Sequence, residues 1–284
     1  MGIKPKNEVI IVIPVYKEEL DKDEQASLKQ CNKILGQFNI CFIHPDHLNL
    51  DNYKEIAENL NGTIKFESFS SIYFENIQGY NNLLLNKNLY KRFNKYKFML
   101  IYQLDAWIFR NELKSWCKKD YDYVGAPWFE NWDLATQQSK FIGVGNGGFS
   151  LRKISTATKV LNKIKFINSY KKFKNKNNWI SKFISRYEFI LDSWLYNLLK
   201  INAKNSHFKT LFDFGTLNED FIWGIVIGST FKDFNLPNFK MAIQFSFETR
   251  PSFLYDKNNR QLPFGCHAWR RYEFKSFWYN YIKF

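Results

Sequence analysis

Phe98-Met99-Leu100-Ile101-Tyr102-Gln103-Leu104-Asp105-Ala106-Trp107-Ile108-Phe109 is the stretch on which the fold turns. Its first five residues form an apolar run of the length of a strand covered on both faces, as in a parallel sheet packed between helices. Gln103 and Asp105 interrupt the run before Trp107, Ile108 and Phe109 resume it. A carboxylate therefore stands at the strand's carboxyl end, where open α/β sheets bind ligands because the loops leaving the strands meet there. Asp105 has two readings at this point. It caps the next turn, or it holds a divalent cation, since Mg²⁺ and Mn²⁺ take oxygen ligands shared between protein and diphosphate.

The flanking sequence extends the pattern. Residues 9–14, 40–43 and 63–66 read as further buried strands, the first ended by Pro14. Between them, 23–38 has helical spacing through Leu28, Cys31, Leu35 and Phe38, and 50–60 reads as a helix with Asp51 as its N-cap. A helix over 79–93, with Tyr80, Leu83, Leu84 and Tyr90 broadly on one side, leads into the 98–102 strand. This β-α-β-α-β order predicts an α/β fold, a mostly parallel central sheet with right-handed crossovers flanked by helices. A further strand is expected at 121–124, broken by Gly125-Ala126-Pro127-Trp128.

Composition narrows the function classes. With 45% apolar and 19% aromatic residues in 284, the chain packs a large core, which excludes a disordered protein. The net charge of +14 favours anionic partners: nucleic acid, phosphate-bearing small molecules or an anionic membrane surface. Between Lys159 and Tyr187 there are nine Lys or Arg and no acid, interleaved with Ile164, Phe166, Phe173, Trp179, Ile180, Phe183 and Ile184. The tail 270–284 repeats the theme with Arg270, Arg271, Lys275 and Lys283 among Tyr272, Phe277, Trp278 and Tyr281. Such mixtures suit a membrane interface, and equally a solvated helical face whose apolar side enters the core. Cys31, Cys41, Cys117 and Cys266 show no metal-ligand spacing and read as reduced core residues of a cytosolic protein. The first apolar run is short and contains Pro14, unlike a signal peptide, and no run reaches the ~20 residues of a membrane span.

Three more constellations carry chemistry. Gly143-Val144-Gly145-Asn146-Gly147-Gly148-Phe149-Ser150-Leu151-Arg152 packs four glycines into six residues, either a tight turn or a loop whose backbone closely approaches a sugar or phosphate. Asn218-Glu219-Asp220-Phe221-Ile222-Trp223-Gly224 presents adjacent carboxylates that point in different directions. They complement a helix dipole, or one of them serves as a general base. His267, between Phe264 and Trp269, is a hydrogen-bonded core histidine or a metal ligand.

In this order the motifs resemble those of GT-A-fold nucleotide-sugar glycosyltransferases. The likeness rests on the strand ending at Pro14, Gly79-Tyr80-Asn81-Asn82-Leu83-Leu84, Gln103-Leu104-Asp105, the Gly-Asn-Gly-Gly-Phe-Ser-Leu-Arg segment, Asn218-Glu219-Asp220 with Trp223-Gly224, and His267. More narrowly, they resemble a bacterial group known as a domain of unknown function, whose hallmark is the glycine-rich segment. The resemblance spans roughly Val9 to Trp269.

The resemblance implies one GT-A-like catalytic domain over 1–269, a basic helical insertion at about 159–206 and a basic aromatic tail at 270–284. Its nucleotide-binding half covers about 1–110 and its acceptor half about 111–269. A nucleotide-sugar donor, a UDP-sugar being favoured, would lie against Pro14, Val15, Tyr16, Tyr80, Asn81, Asn82, Gln103 and Asp105. Gln103 stands where such enzymes carry the first Asp of a D-x-D motif, leaving Asp105 as carboxylate ligand of Mn²⁺ or Mg²⁺ and His267 to complete the shell. Asp220 would be the catalytic base, with Glu219 binding the acceptor or serving as the alternative base. Asn146, Gly147, Gly148, Phe149 and Trp223 would shape the sugar and acceptor pocket. The implied acceptor is a glycan or lipid-linked glycan, and the implied location is cytoplasmic, peripheral on the inner face of the membrane. No nucleic acid is expected as a partner. A nucleic-acid-binding protein and an inactive sugar-binding relative are the competing classes.

Overall fold

The computed structural model describes residues 7–136, 138–174 and 188–283. Four parallel strands form the centre: β1 (Asn7–Pro14), β2 (Asn39–Pro45), β3 (Ile64–Phe69) and β4 (Tyr96–Tyr102), in the order β3-β2-β1-β4. The order reverses direction between β1 and β4, which creates the crevice at which doubly wound sheets bind ligands. β9 (Phe149–Lys153) continues the sheet antiparallel to β4, and β6 (Tyr123–Val124) pairs with β9 at the edge. The sheet is thus mostly parallel and flanked by helices, as the alternation of segments predicts.

Side chains along β1 alternate between two cores because successive residues point to opposite faces. Ile10 and Val12 pack with Leu83, Leu84, Met99, Ile101 and Ile164 on one face. Val9, Ile11 and Ile13 pack with Leu28, Cys31, Leu35, Leu100 and Trp116, the last on helix α5 (Leu113–Lys118), on the other. Helix α1 (Lys22–Leu35) starts at Asp21, whose side chain accepts from the Glu24 N–H while Glu24 accepts from Asp21, a reciprocal cap. All four cysteines are free and buried.

Several expectations need correction. Asp51 is the first residue of α2 (Asp51–Glu58) rather than its cap, and Asn49 accepts its N–H. The helix expected at 79–93 is two, α3 (Ile77–Leu84) and α4 (Lys87–Arg92), because the Asn86 side chain caps a new start by accepting the Asn88 N–H. The glycine-rich segment is not one loop. β8 (Phe141–Gly145) pairs with β7 (Ala126–Phe129), and only Asn146-Gly147-Gly148 separates β8 from β9.

The basic region contains α6 (Ile154–Lys174) and α7 (Glu188–Leu198). The expectation for Trp179, Ile180, Phe183 and Ile184 lies outside the described residues. The C-terminal tail turns inward: Trp269, Phe277, Trp278 and Ile282 are buried in a third core with Trp107, Phe247 and Cys266. Arg270 pairs with both Asp23 oxygens at 2.6 Å and stacks on Phe274. Of the tail's rings, Phe277 and Trp278 are therefore core, Tyr272, Phe274 and Tyr281 are half-buried, and Tyr279 is exposed.

Candidate active site

A small second sheet assembles the first half of the site. β5 (Trp107–Ile108), β11 (Gly265–Cys266) and β10 (Ser246–Phe247) lie side by side, with Trp107 opposite Cys266 and Cys266 opposite Phe247. β5 runs antiparallel to β11 while β10 runs parallel to it. One end of the sheet therefore gathers Asp105, just before β5, with His267 and Glu248, just beyond β11 and β10.

The side chains then touch. His267 Nε2 lies 3.1 Å from Asp105 Oδ1 and 3.1 Å from Gln103 Oε1, and Nδ1 lies 3.1 Å from Glu248 Oε1. Glu248 Oε2 also accepts from Trp128 Nε1 at 3.4 Å. Burial alone would lower the imidazole's pKa, but Asp105 and then Glu248 outweigh it and raise it to about 10. Asp105 keeps 52% of its side chain exposed. Crowding on its inner side acts to raise its carboxyl, yet the His267 charge and hydrogen bond hold it below the ordinary aspartate value.

The second half comes from the turn between β8 and β9. Tyr102 pairs with Phe149, and Gln103 N–H donates to Gly148 O at 2.8 Å, so the turn lies against the end of β4. Asp220 Oδ2 closes it from the other side by accepting the N–H groups of Asn146 (3.1 Å) and Gly147 (3.0 Å). Asn146 is held at φ +94°, fixed by those bonds and by its own side chain, which accepts from Phe149 N–H and donates to Ser246. Both glycines are needed for closeness. A Cβ on Gly148 would land on His267 Nε2 and 2.5 Å from Gln103 Oε1, and one on Gly147 would land on Glu219 Oε1. Gly148→Ala is accordingly expected to cost about 1–3 kcal/mol of stability in urea titration. An unchanged midpoint would show that the turn has room to move.

Asp220 sits in a short helix, Glu219–Phe221, that passes directly into a π-helical segment, Ile222–Ile227, a geometry concentrated at functional sites. Burial, then the charges of Glu219 and Glu248, raise its pKa to about 7, against the pull of the Gly147 and Asn146 N–H groups. A carboxylate titrating there can accept a proton from a hydroxyl at neutral pH.

Other expected site residues are placed differently. Glu219 is 2% exposed and pairs at 2.8 Å with Arg152, itself 1% exposed, so the two form an ion pair enclosed by the core. Trp223 is core, packed on Tyr90 and Phe234, and Phe149 is core, packed on Tyr102, Phe245 and Phe264. Asn146 is fully buried. Asn81 is buried and ties α3 to the acidic motif, accepting from Glu219 N–H and donating to Asn218 Oδ1, both at 3.3 Å. Pro14 and Val15 are buried while Tyr16 faces solvent, as does Asn82; Tyr80 is half-buried. Gln103, Asp105, Gly147, Gly148, Asp220 and His267 are the expected residues that the fold brings together. Glu248 and Arg152 were not expected. The only sequence signal for Glu248 is that no other acid lies between Asp233 and Asp256.

No cluster of three or more His, Cys, Asp or Glu among the described residues is arranged to hold a metal. The donor set nonetheless fits a cation shared with a ligand. Asp105 Oδ1, Gln103 Oε1 and His267 Nε2 converge, the Nε2 separations of 3.1 Å match the ~3 Å between neighbouring ligands of an octahedral ion, and Glu248 fixes the imidazole from behind.

Among solved structures, mouse xyloside xylosyltransferase 1 in its apo form aligns with 92% of this chain and 97% of its own, at 11% identity and a TM-score of 0.50. The galactosyltransferase LgtC, in complex with donor and acceptor sugar analogues, aligns with 91% of this chain and 86% of its own, at 14% identity and a TM-score of 0.49. Core-mannan synthase A from Aspergillus fumigatus, in its Mn/GDP form, aligns with 57% of this chain; the match spans 65% of that protein, at 9% identity and a TM-score of 0.42. At such identities the likeness to the mouse enzyme concerns the fold, a GT-A-like α/β arrangement. No curated protein matches the chain. The model of the family described as "Protein of unknown function (DUF5672)" matches residues 63–267, more than half of the chain, and the chain belongs to that family.

Proposed function

We propose that the chain is a glycosyltransferase that moves a sugar from a nucleotide-sugar donor, a UDP-sugar being favoured, to a hydroxyl of a glycan or lipid-linked glycan in bacterial surface polysaccharide synthesis. One observation carries the reading. Asp105, Gln103 and His267 meet Asp220 across the Gly147-Gly148 turn, at the carboxyl end of β4, where the strand order reverses. The fold shared with xyloside xylosyltransferase 1 supports it.

In this reading the donor diphosphate lies beside Asp105 and the Tyr16 loop. Asp105 and His267 would hold Mn²⁺ or Mg²⁺, with Gln103 Oε1 beside them. The chemistry such a cation supplies is neutralisation of charge growing on the departing nucleoside diphosphate. Glu248 holds the imidazole in register, and Asp220 takes the acceptor hydroxyl's proton as the new glycosidic bond forms by direct displacement. The Asn146-Gly147 N–H groups hold Asp220 Oδ2 and thereby aim the carboxylate.

Thermal-shift measurements against nucleoside diphosphates and their sugars, with and without Mn²⁺, test the donor half directly, since a ligand bound to the folded state raises Tm. Asp105→Ala is expected to abolish the Mn²⁺-dependent part of the nucleotide shift. Titration curves identical to wild type would remove Asp105 from the metal site. Hydrolysis of the donor with Mn²⁺ separates a working enzyme from an inactive sugar-binding relative.

A further inference from the structure

The two basic aromatic segments of the sequence behave oppositely in the fold. The C-terminal one packs Phe277 and Trp278 inward, whereas the 159–206 region sends one side into the core through Val160, Ile164 and Ile167 and keeps Phe166 and much of the second helix exposed. Helices α6 and α7 lie antiparallel, joined by Tyr170 to Asp192 Oδ1 at 3.0 Å and by Lys163 Nζ to Leu199 O at 2.8 Å. Leu195 and Tyr196 turn α7 onto the core, yet Ile190, Leu191, Trp194 and Leu198, one stripe at helical spacing, face solvent. Trp194 is 63% exposed, and Phe166 on α6 is 54% exposed.

Beside this apolar surface lies a hollow of about 210 Å³ lined by Lys153, Lys159, Lys163 and Lys200 together with Asp122 and Asp233, and Lys153 also pairs with Asp120 at 2.8 Å. Asp233 pairs with Lys200, and Asp122 lies 3.9 Å from Lys153 Nζ while accepting from Thr156 and Asn235. Lys159 and Lys163 are in no ion pair among the described residues, and the four lysines exceed the three acids by one charge. Burial, then the like charges of Lys159 and Lys200, hold Lys163 below the ordinary lysine value despite Asp233. A second, shallower hollow of about 530 Å³ shares Lys159 and Lys163 and adds Phe166 and Leu199.

We propose that the α6–α7 face docks on an anionic lipid bilayer, with headgroup phosphates in the lysine hollow and Phe166, Trp194 and Leu198 in the headgroup and acyl boundary. Cations that attract anionic lipid beside rings and aliphatic chains that bury in the boundary are what interfacial binding requires. A nucleic acid would use the lysines but leave the aliphatic stripe in water. Lys153 pairs in register with Phe98, the opposite end of β4 from Tyr102, so docking by the hollow leaves the Asp105 end open.

The test is flotation of the full chain with vesicles of phosphatidylcholine, with and without phosphatidylglycerol, at physiological salt. The chain is expected to float only with the anionic vesicles. Lys159→Glu, and separately Trp194→Ser with Leu198→Ser, should each lower the bound fraction roughly tenfold or more while the melting temperature and the nucleotide-induced shift stay as in wild type. The inference is overturned by absence of flotation, by variants that float like wild type, or by light scattering that shows a dimer dissociated by the Trp194→Ser and Leu198→Ser pair. It does not depend on the glycosyl-transfer reading, because the nucleotide shift is scored separately.

Discussion

Asp220→Asn is expected to cut sugar transfer by about 10²–10⁴-fold with donor affinity and fold retained. Asn keeps a side-chain oxygen that can accept the Asn146 and Gly147 N–H groups, now 3.1 and 3.0 Å from Asp220 Oδ2, but it cannot take a proton. Because burial and two neighbouring carboxylates raise Asp220 to about 7, wild-type kcat/KM should climb through about pH 7 and then level, and the residual activity of the variant should lack that limb. The stability consequence has the opposite sign. A carboxyl whose pKa is raised in the folded state binds its proton more tightly there, so its contribution is fully present below the unfolded value of 3.8 and is lost as pH rises through about 7. Asp220→Asn should therefore match wild type in Tm near pH 4 and exceed it above pH 7. Wild-type turnover in the variant would place the base elsewhere.

Breaking the Arg152–Glu219 pair is the largest expected stability effect. Both groups are buried, and Arg152 is held on every side: Glu219 Oε1 at 2.8 Å, Ser150 Oγ at 3.0 and 3.1 Å, Tyr90 hydroxyl at 3.2 Å and the Tyr123 ring at 5.3 Å. Removing one partner leaves an uncompensated charge in a low-dielectric core, which costs about 3–5 kcal/mol. Glu219→Gln or Arg152→Met should then lower Tm by on the order of 10 °C, and Arg152→Met with Glu219→Leu should recover part of it. Glu219 also raises Asp220, so Glu219→Gln should move the pH–rate midpoint to lower pH. An unaltered Tm in both single variants would mean that water reaches the pair.

The parallel core was legible because its strands are covered on both faces. Val9 to Ile13, Ile40 to Ile43 and Phe98 to Tyr102 are unbroken apolar runs, and Asp105 stands out by interrupting one. The strands that build the site were not legible. β5, β10 and β11 have two residues each, too few for any periodicity, and the glycines of 143–148 disguised β8 and β9 as one loop. Phe149 and Trp223, expected in a pocket beside their motifs, face the core. Adjacency in sequence does not say which side of a strand or helix a residue takes.

What the sequence alone determined is the order of the central strands β1 to β4, the burial of their apolar runs and the position of Asp105 after β4, because these depend on local periodicity and chain direction. Tertiary structure decided which carboxylate stays open and which is neutralised by Arg152, that Glu248 stands behind His267, and that Phe277 and Trp278 turn inward. Those outcomes rest on contacts between segments far apart in the chain, such as Arg152 with Glu219 and Gln103 with His267, or on the pairing of two-residue strands. Burial, charge and donor geometry there are set by neighbours that no local pattern names.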